Sequence, residues 1–202
     1  MQTYSHFLLT WALEKPLRKI REKTNLPPVR KSALLIGSIA PDALLIGISV
    51  VLGIIDVGKG DLGGKESLLH TLFSDWFFRD LWIIVAQNTF HSPLVLSGLI
   101  AIGLILWRQT KKSGGWLVWF SSAAMLHTLI DIPLHHDDGP LVFFPINWTY
   151  RFQGSVSYWD PNHFGREFFL FEHLLVVLLI LILVRQKMRN SSRKSRKETE
   201  SP

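Results

Sequence analysis

The sequence predicts an all-α polytopic membrane protein with about four transmembrane helices, a short N-terminal membrane-dipping helix and an interfacial helix. Three observations carry that expectation. Residues 33–55, 81–107, 116–134 and 167–184 each come close to the roughly 20 mostly apolar residues that a membrane span needs. Basic residues crowd into alternate connections between those stretches. Histidines and carboxylates interrupt the stretches at a few positions only, at spacings that suit chemistry.

Of the 202 residues, 48% are hydrophobic and 19% charged, with a mean hydropathy of +0.21, which excludes a disordered or collagen-like chain. The formal charge of +6 would suggest a nucleic-acid partner only if it were gathered on one folded surface. It is not. Seventeen of the 22 Lys and Arg residues fall between Lys15 and Lys31, between Arg108 and Lys112, or between Arg185 and Lys197. The positive-inside rule places those segments in the cytoplasm, so four spans leave both basic ends inside. Taken with the flanking Glu14, Glu198 and Glu200, these segments carry 17 basic against 4 acidic residues, and the rest of the chain 5 against 12. The basic charge therefore reports orientation, and no nucleic-acid partner is expected. Cysteine is absent, which removes disulfide scaffolds, Cys-type zinc sites and thiol nucleophiles.

Along the chain, the N-terminal stretch lacks the basic start and small-residue cleavage site of a signal peptide and is expected to be retained. Its apolar part, His6 to Leu13, is too short to span, and the helix is expected to end near Lys15-Pro16. In the first span Pro41 is expected to break the helix beside Asp42. Leu68, Leu69, Leu72, Phe73, Trp76 and Phe77 follow at helical spacing, as an interfacial helix or a packed core helix would place them. Gln87, Asn88, His91, Ser92 and Pro93 interrupt the second span, and Ser92-Pro93 reads as an N-cap with proline at the first helical position. Residues 81–90 are then a half-helix or re-entrant segment. Residues 1–184 form one membrane-embedded helical domain. Residues 185–202, with no apolar pattern, are expected to be a disordered basic tail.

A charge within a bilayer costs at least about 2.5–3.5 kcal/mol on insertion scales, so each such residue asks for a reason. Asp42 lies at mid-depth, either as a ligand or as the cap of a half-helix. His127, Asp131 and His135 stand four residues apart, a spacing that stacks side chains on one helix face and suits one divalent cation. A neutral histidine bonded to a core carboxylate would look the same, and Pro133 threatens the helix before His135. Convergence favours the ligand reading: His91, His127, Asp131 and Glu172-His173 all fall in the outer half of the bilayer, where His6 joins them if the N-terminal helix enters from that side. Adjacent helix positions point about 100° apart, so only one of Glu172 and His173 is expected to face the site. Asp137-Asp138-Gly139-Pro140 alone is a turn signal.

These motifs resemble the membrane-bound metal-dependent hydrolases of bacterial inner membranes, a family that includes a LexA-binding member. The matching residues are His6, GSIAPD ending in Asp42, His91-Ser92, and His127 with Asp131. Leu44 replaces a second Asp of the family pattern, Ala86-Gln87 replaces His-Arg, and Phe90 replaces Thr. PLHHDDGPLVFFPINW, SYWDPNH and LFSDWF are similar to an uncharacterised branch. The resemblance implies a multi-pass protein of the bacterial inner membrane and a hydrolase using Zn, Mn or a similar divalent cation. His6, Asp42, His91, His127, Asp131 and His135 would be the ligands. Asp137 or Asp138 would act as general base, or as a further ligand, at the mouth, on a phosphoester or acyl-linked lipid or envelope substrate. The alternatives are a non-enzymatic carrier or proton or metal relay using the same residues, and a scaffold whose basic tail docks anionic lipid or a soluble partner.

Overall fold

Three of the four apolar runs of span length become continuous helical stretches in the computed structural model, which describes residues 1–64, 66–109 and 112–199. Lys65, Lys111 and the final three residues of the expected tail lie outside the described residues, as do the side chains of Asn190 and residues 193–199. The helices are α1 (Thr3–Glu22), α2 (Lys31–Lys59), α3 (Leu68–Thr71), α4 (Phe77–Arg79), α5 (Leu81–Thr89), α6 (Pro93–Arg108), α7 (Lys112–Asp131) and α8 (Gly165–Thr199). Among the described residues the one extended pairing is an isolated bridge between Leu141 and Arg151. Three helices are long and apolar enough to cross a membrane: α2, α7 with its following turn to Leu134, and α8 as far as Arg189. The pair α5 and α6 reaches that length together, bent by 49° at the break. Ser92 caps α6, its Oγ accepting from the Val95 N–H, with Pro93 first in the helix as the sequence implies.

Four expectations change. α1 does not stop near Pro16 but runs on to Glu22. Pro16 has no N–H for the Ala12 carbonyl, and the Gln186 side chain of α8 donates to that carbonyl instead, at 3.5 Å. Pro41 likewise sits inside an unbroken α2. The expected interfacial helix is divided, with a π-helical turn over Leu72–Trp76 between α3 and α4. Finally, α8 continues from Arg185 to Thr199, where disorder was expected. Extending an existing helix needs no new nucleus, and Arg, Gln, Lys and Met are good helix formers.

α7 is the buried centre of the bundle, packed on α2 and on α6. Val29, Ala33 and Leu34 meet Trp119, Phe120 and Ala123 in its core. Small residues set the spacing, as they do where apolar helices associate without a hydrophobic drive: a Cβ on Gly37 would run into the Phe120 carbonyl. The polar residues that interrupt the second apolar stretch hold the loop after α7. Buried Asn88 accepts the Leu141 N–H at 2.8 Å, and buried Ser92 donates to the Phe144 carbonyl at 2.6 Å. At the other end of α2, buried Asp56 accepts from Ser67 Oγ at 2.7 Å and from the Leu68 and Leu69 N–H groups at 3.0 Å. That carboxylate fastens the start of α3 to α2.

The Gly37 contact makes a prediction. Gly37→Ala forces α2 from α7 and should cost about 1–3 kcal/mol as an overpacked core does, lowering the melting temperature of the detergent-solubilised protein. Gly47→Ala, on the same helix with nothing within 4 Å of the added carbon, should leave melting unchanged or slightly raised.

Candidate metal centre

Asp42 of α2, His91 from the break between α5 and α6, and His127 and Asp131 of α7 each offer one donor atom, all within 4.8 Å of one another. Nε2 of His91 is 3.4 Å from Asp42 Oδ1; Nε2 of His127 is 3.5 Å from the same oxygen and 3.1 Å from Asp131 Oδ2. Ligands at about 2.0–2.2 Å from a tetrahedral ion stand about 3.3–3.6 Å apart, so these separations suit a small divalent cation.

The histidines are held in the tautomer a cation requires. His91 Nδ1 lies 3.0 Å from the Gln87 carbonyl and His127 Nδ1 lies 2.8 Å from the Ser38 carbonyl. Carbonyl oxygens only accept, so each Nδ1 carries the proton and each Nε2 presents a lone pair to the centre. Ser38 adjoins Gly37, whose carbonyl loses its helical partner at Pro41, so the proline loosens the helix where His127 reaches it. His127 Nε2 is buried without a hydrogen-bond partner, although two carboxylate oxygens stand beside it. A lone pair facing anionic oxygens is repelled, and either a proton on the nitrogen or a cation between the groups would offset that repulsion.

α1 divides the work of each carboxylate. Thr3 Oγ donates to Asp42 Oδ2, leaving Oδ1 for the centre. His6 Nε2, at 2.9 Å, and the Met1 nitrogen, at 2.7 Å, both bond Asp131 Oδ1, leaving Oδ2 for His127. The His6 ring stacks on His127 with centroids 3.6 Å apart. The start of α1 is anchored in turn by buried Glu172, which accepts the Gln2 N–H at 2.7 Å; a carboxylate is favoured at a helix N-terminus. His173 faces outward toward Tyr4, so one of the adjacent pair serves the site, as their angular separation requires.

No protein-family model, curated protein or solved structure matches the chain. The site therefore has to be read from its own geometry.

Of the expected ligands, Asp42, His91, His127 and Asp131 come together, whereas His6 and His135 stand beside them. His6 is engaged by Asp131. His135 is off the helix: α7 ends at Asp131, Pro133 lies in a 3-10 turn, and His135 is extended, its Nδ1 donating to the Asp131 carbonyl at 2.8 Å. The i, i+4 stacking with Asp131 is lost because the helix is over. His135 nonetheless lines a cavity of about 870 Å³ with Asp42, His91, Asp131, Asp137 and Asp138. Asp137 is exposed, whereas Asp138 accepts from Trp159 Nε1 at 2.9 Å through Oδ2 and keeps Oδ1 buried and unpartnered.

Tyr158 and Trp159, from the SYWDPNH stretch, line the same cavity, a placement the local sequence does not reveal. They arrive because the loop after α7 folds back: the Tyr158 N–H bonds the Leu134 carbonyl at 3.0 Å, and its ring meets His135 edge-on at 5.0 Å. Burial, with the charges of Asp131 and Asp138, pushes the Tyr158 phenol well above its ordinary value. It stays a hydrogen-bond donor. The next residue but one, Asp160, accepts from the Asn162 N–H at 2.9 Å and from His163 at 2.7 Å, which holds its carboxyl below the usual range.

Two predictions follow from these contacts. His127→Ala should abolish binding in a zinc titration of the detergent-purified protein. His6→Ala, which removes one of the two partners of the far oxygen of Asp131 and the ring stacked on His127, should weaken binding by about 10–100-fold. For Asp160 the folded-state value lies below the unfolded one, so its stabilisation is complete above the ordinary carboxylate range and is lost as pH falls through the depressed value. Trp159 fluorescence should therefore report loosening of this loop only in strong acid, and Asp160→Asn should abolish that transition.

Proposed function

We propose that the chain is an integral-membrane, metal-dependent hydrolase, seated in four spans with α5 and α6 as one broken span. The observation that carries the reading is the pair of histidines whose Nδ1 protons are fixed on carbonyls while both Nε2 atoms face carboxylate oxygen. The membrane setting is supported by the outward faces of α2 and α8, where Val50, Val51, Ile54 and Val57, and Leu170, Leu174, Leu178 and Leu181, are exposed. Apolar surface on that scale marks contact with lipid or partner. The basic segments would face the cytoplasm of a bacterial inner membrane, in line with the family resemblance of the motifs.

Asp42, His91, His127 and Asp131 would hold the cation. When bound, a divalent cation supplies Lewis acidity, polarising a substrate oxygen and acidifying water. Asp138 is better placed than Asp137 as general base, since its Oδ1 is unpartnered and Trp159 fixes the carboxylate. It takes the proton from the attacking water and returns it to the departing alcohol as the ester bond breaks. Tyr158 donates a hydrogen bond to the charge that grows on the substrate oxygen.

A second reading, a carrier or relay, draws on the broken α5–α6 pair beside the cluster, since discontinuous helices frame ion sites in transporters. Elemental analysis of the purified protein, with turnover on a panel of phosphoesters and carboxylic esters, separates the two. The hydrolase reading expects bound divalent cation in the wild type, its loss in His127→Ala and Asp131→Ala, and turnover that Asp138→Asn lowers by about 10²–10⁴-fold with cation retained. Bound cation with no turnover on any ester would move the assignment to a carrier. A wild type that binds none after supplementation would end both metal readings.

A further inference from the structure

We propose that the basic end of the α1–α8 pair binds an anionic phospholipid, its headgroup against Lys19 and Lys23 of α1 and Arg185 and Arg189 of α8, and its acyl chains along the apolar face of α8. The site needs the membrane setting of the chain and is independent of hydrolase chemistry.

Three helices reach one level at this end of the bundle. Lys31, the first residue of α2, lies 4.4 Å over the Trp11 ring and 3.9 Å from Glu14. Beside them, the Gln186 carbonyl of α8 accepts from Lys15 Nζ at 3.1 Å. α2 begins there, yet α1 runs on from Glu14 to Glu22 and α8 from Gln186 to Thr199, about 12 Å and 20 Å of helix at 1.5 Å per residue. Both extensions are cationic. Residues 15–23 carry five basic side chains against Glu22, and residues 185–189 carry three against none. Glu14 is taken by Arg18 and Lys31, and among the described residues no carboxylate pairs with Lys19, Lys23, Arg185 or Arg189. Lys15, Lys19 and Lys23 follow at four-residue intervals, as do Arg185 and Arg189, so like charges share a face on each helix. Such spacing destabilises a helix, and an anion lying against it reverses the effect. The bond from Lys15 to Gln186 turns the lysine face of α1 toward α8.

The neighbouring surface decides which anion. Leu174, Leu178, Leu181, Arg185 and Arg189 recur at helical spacing and so share one face of α8, whose three leucines are exposed. A phospholipid whose chains lie on those leucines, toward the middle of the span, carries its phosphate to the two arginines. Ile20 and Met188 stand 56% and 65% exposed among the cations, as apolar side chains do in segments that dip into a headgroup layer. Basic side chains next to a span attract anionic lipid and act over the roughly 8–10 Å that screening allows at ordinary ionic strength. A soluble acidic protein would meet the same cations and leave the leucines unused.

The test places the full chain in nanodiscs of phosphatidylcholine with phosphatidylglycerol as the minor component, then counts by native mass spectrometry the lipids that stay bound on release. Phosphatidylglycerol should be retained several-fold above its share of the bilayer, and less so at high salt. Lys19→Gln with Lys23→Gln, and Arg185→Gln with Arg189→Gln, should each bring retention down toward that share with melting temperature unchanged. Arg79→Gln with Arg166→Gln, at the other end of the bundle, should not. Because the chain has no cysteine, Ile20→Cys and Met188→Cys each accept a single nitrobenzoxadiazole probe, whose emission should rise and shift to shorter wavelength when phosphatidylglycerol is present. Retention that neither basic pair lowers overturns the proposal, as does probe emission that is the same in phosphatidylcholine alone. Binding of polyglutamate by the wild type in phosphatidylcholine nanodiscs, without retention of phosphatidylglycerol, overturns it in favour of an acidic protein. Selective retention in a protein that binds no cation leaves the lipid site standing and removes the hydrolase reading. Bound cation with turnover and no selective retention does the reverse.

Discussion

Two carboxylates, Asp42 and Asp131, are brought against one histidine nitrogen, and the bundle is arranged around the cost of keeping them there. Asp131 is 3% exposed, and an unpaired buried carboxylate is among the most expensive groups a fold can hold. The close approach of α2 to α7 at Gly37 makes the meeting possible, since the same interface lets His127 reach the Ser38 carbonyl. α1 then compensates the outer oxygens through Thr3 and His6. The inner pair of oxygens faces the Nε2 atoms of His91 and His127.

The length of α2 organises the rest. Asp42 reaches the centre, Ile46 and Val50 floor the cavity, and Asp56 holds the start of α3. These residues are 14 positions apart from first to last, about 21 Å of helix. One rigid element therefore sets the distance between cation cluster and aromatic wall. Pro41 does not disturb that ruler because it removes a single backbone bond without ending the helix.

Much of this was legible in the sequence, for local reasons. Helix existence followed from long apolar runs, the start of α6 from Ser92-Pro93, and the pairing of His127 with Asp131 from their four-residue spacing. The convergence of His91 and Asp42 on that pair needed only the depth at which each sits along its helix. The errors came where long-range partners decide. Pro16 reads as a stop until Gln186, 170 residues on, supplies the missing donor. His6 and His135 share the residue type of a ligand, but their partners, Asp131 Oδ1 and the Asp131 carbonyl, can be assigned only when three dimensions are known. The stretch SYWDPNH gave no sign that Tyr158 and Trp159 line the site, because nothing local states that the loop after α7 returns to Leu134.

The division of each carboxylate between α1 and the centre also bears on whether a proton rather than a metal ion sits among the four groups. A proton relay works best when each member can both give and take a hydrogen bond, so that charge moves by rotation or exchange. Here both Nδ1 atoms are tied to carbonyls that accept and never donate. The outer carboxylate oxygens are tied to α1, and His127 Nε2 lies near two oxygens without the alignment of a hydrogen bond to either. A proton placed on that nitrogen would have to choose one oxygen and point poorly at it. A divalent cation would make no such directional demand and could draw on all four donors, which lie within 4.8 Å of one another. The fixed tautomers and the undirected nitrogen are thus the same fact seen twice: the site is rigid around a point, and a point charge is what rigid convergence serves.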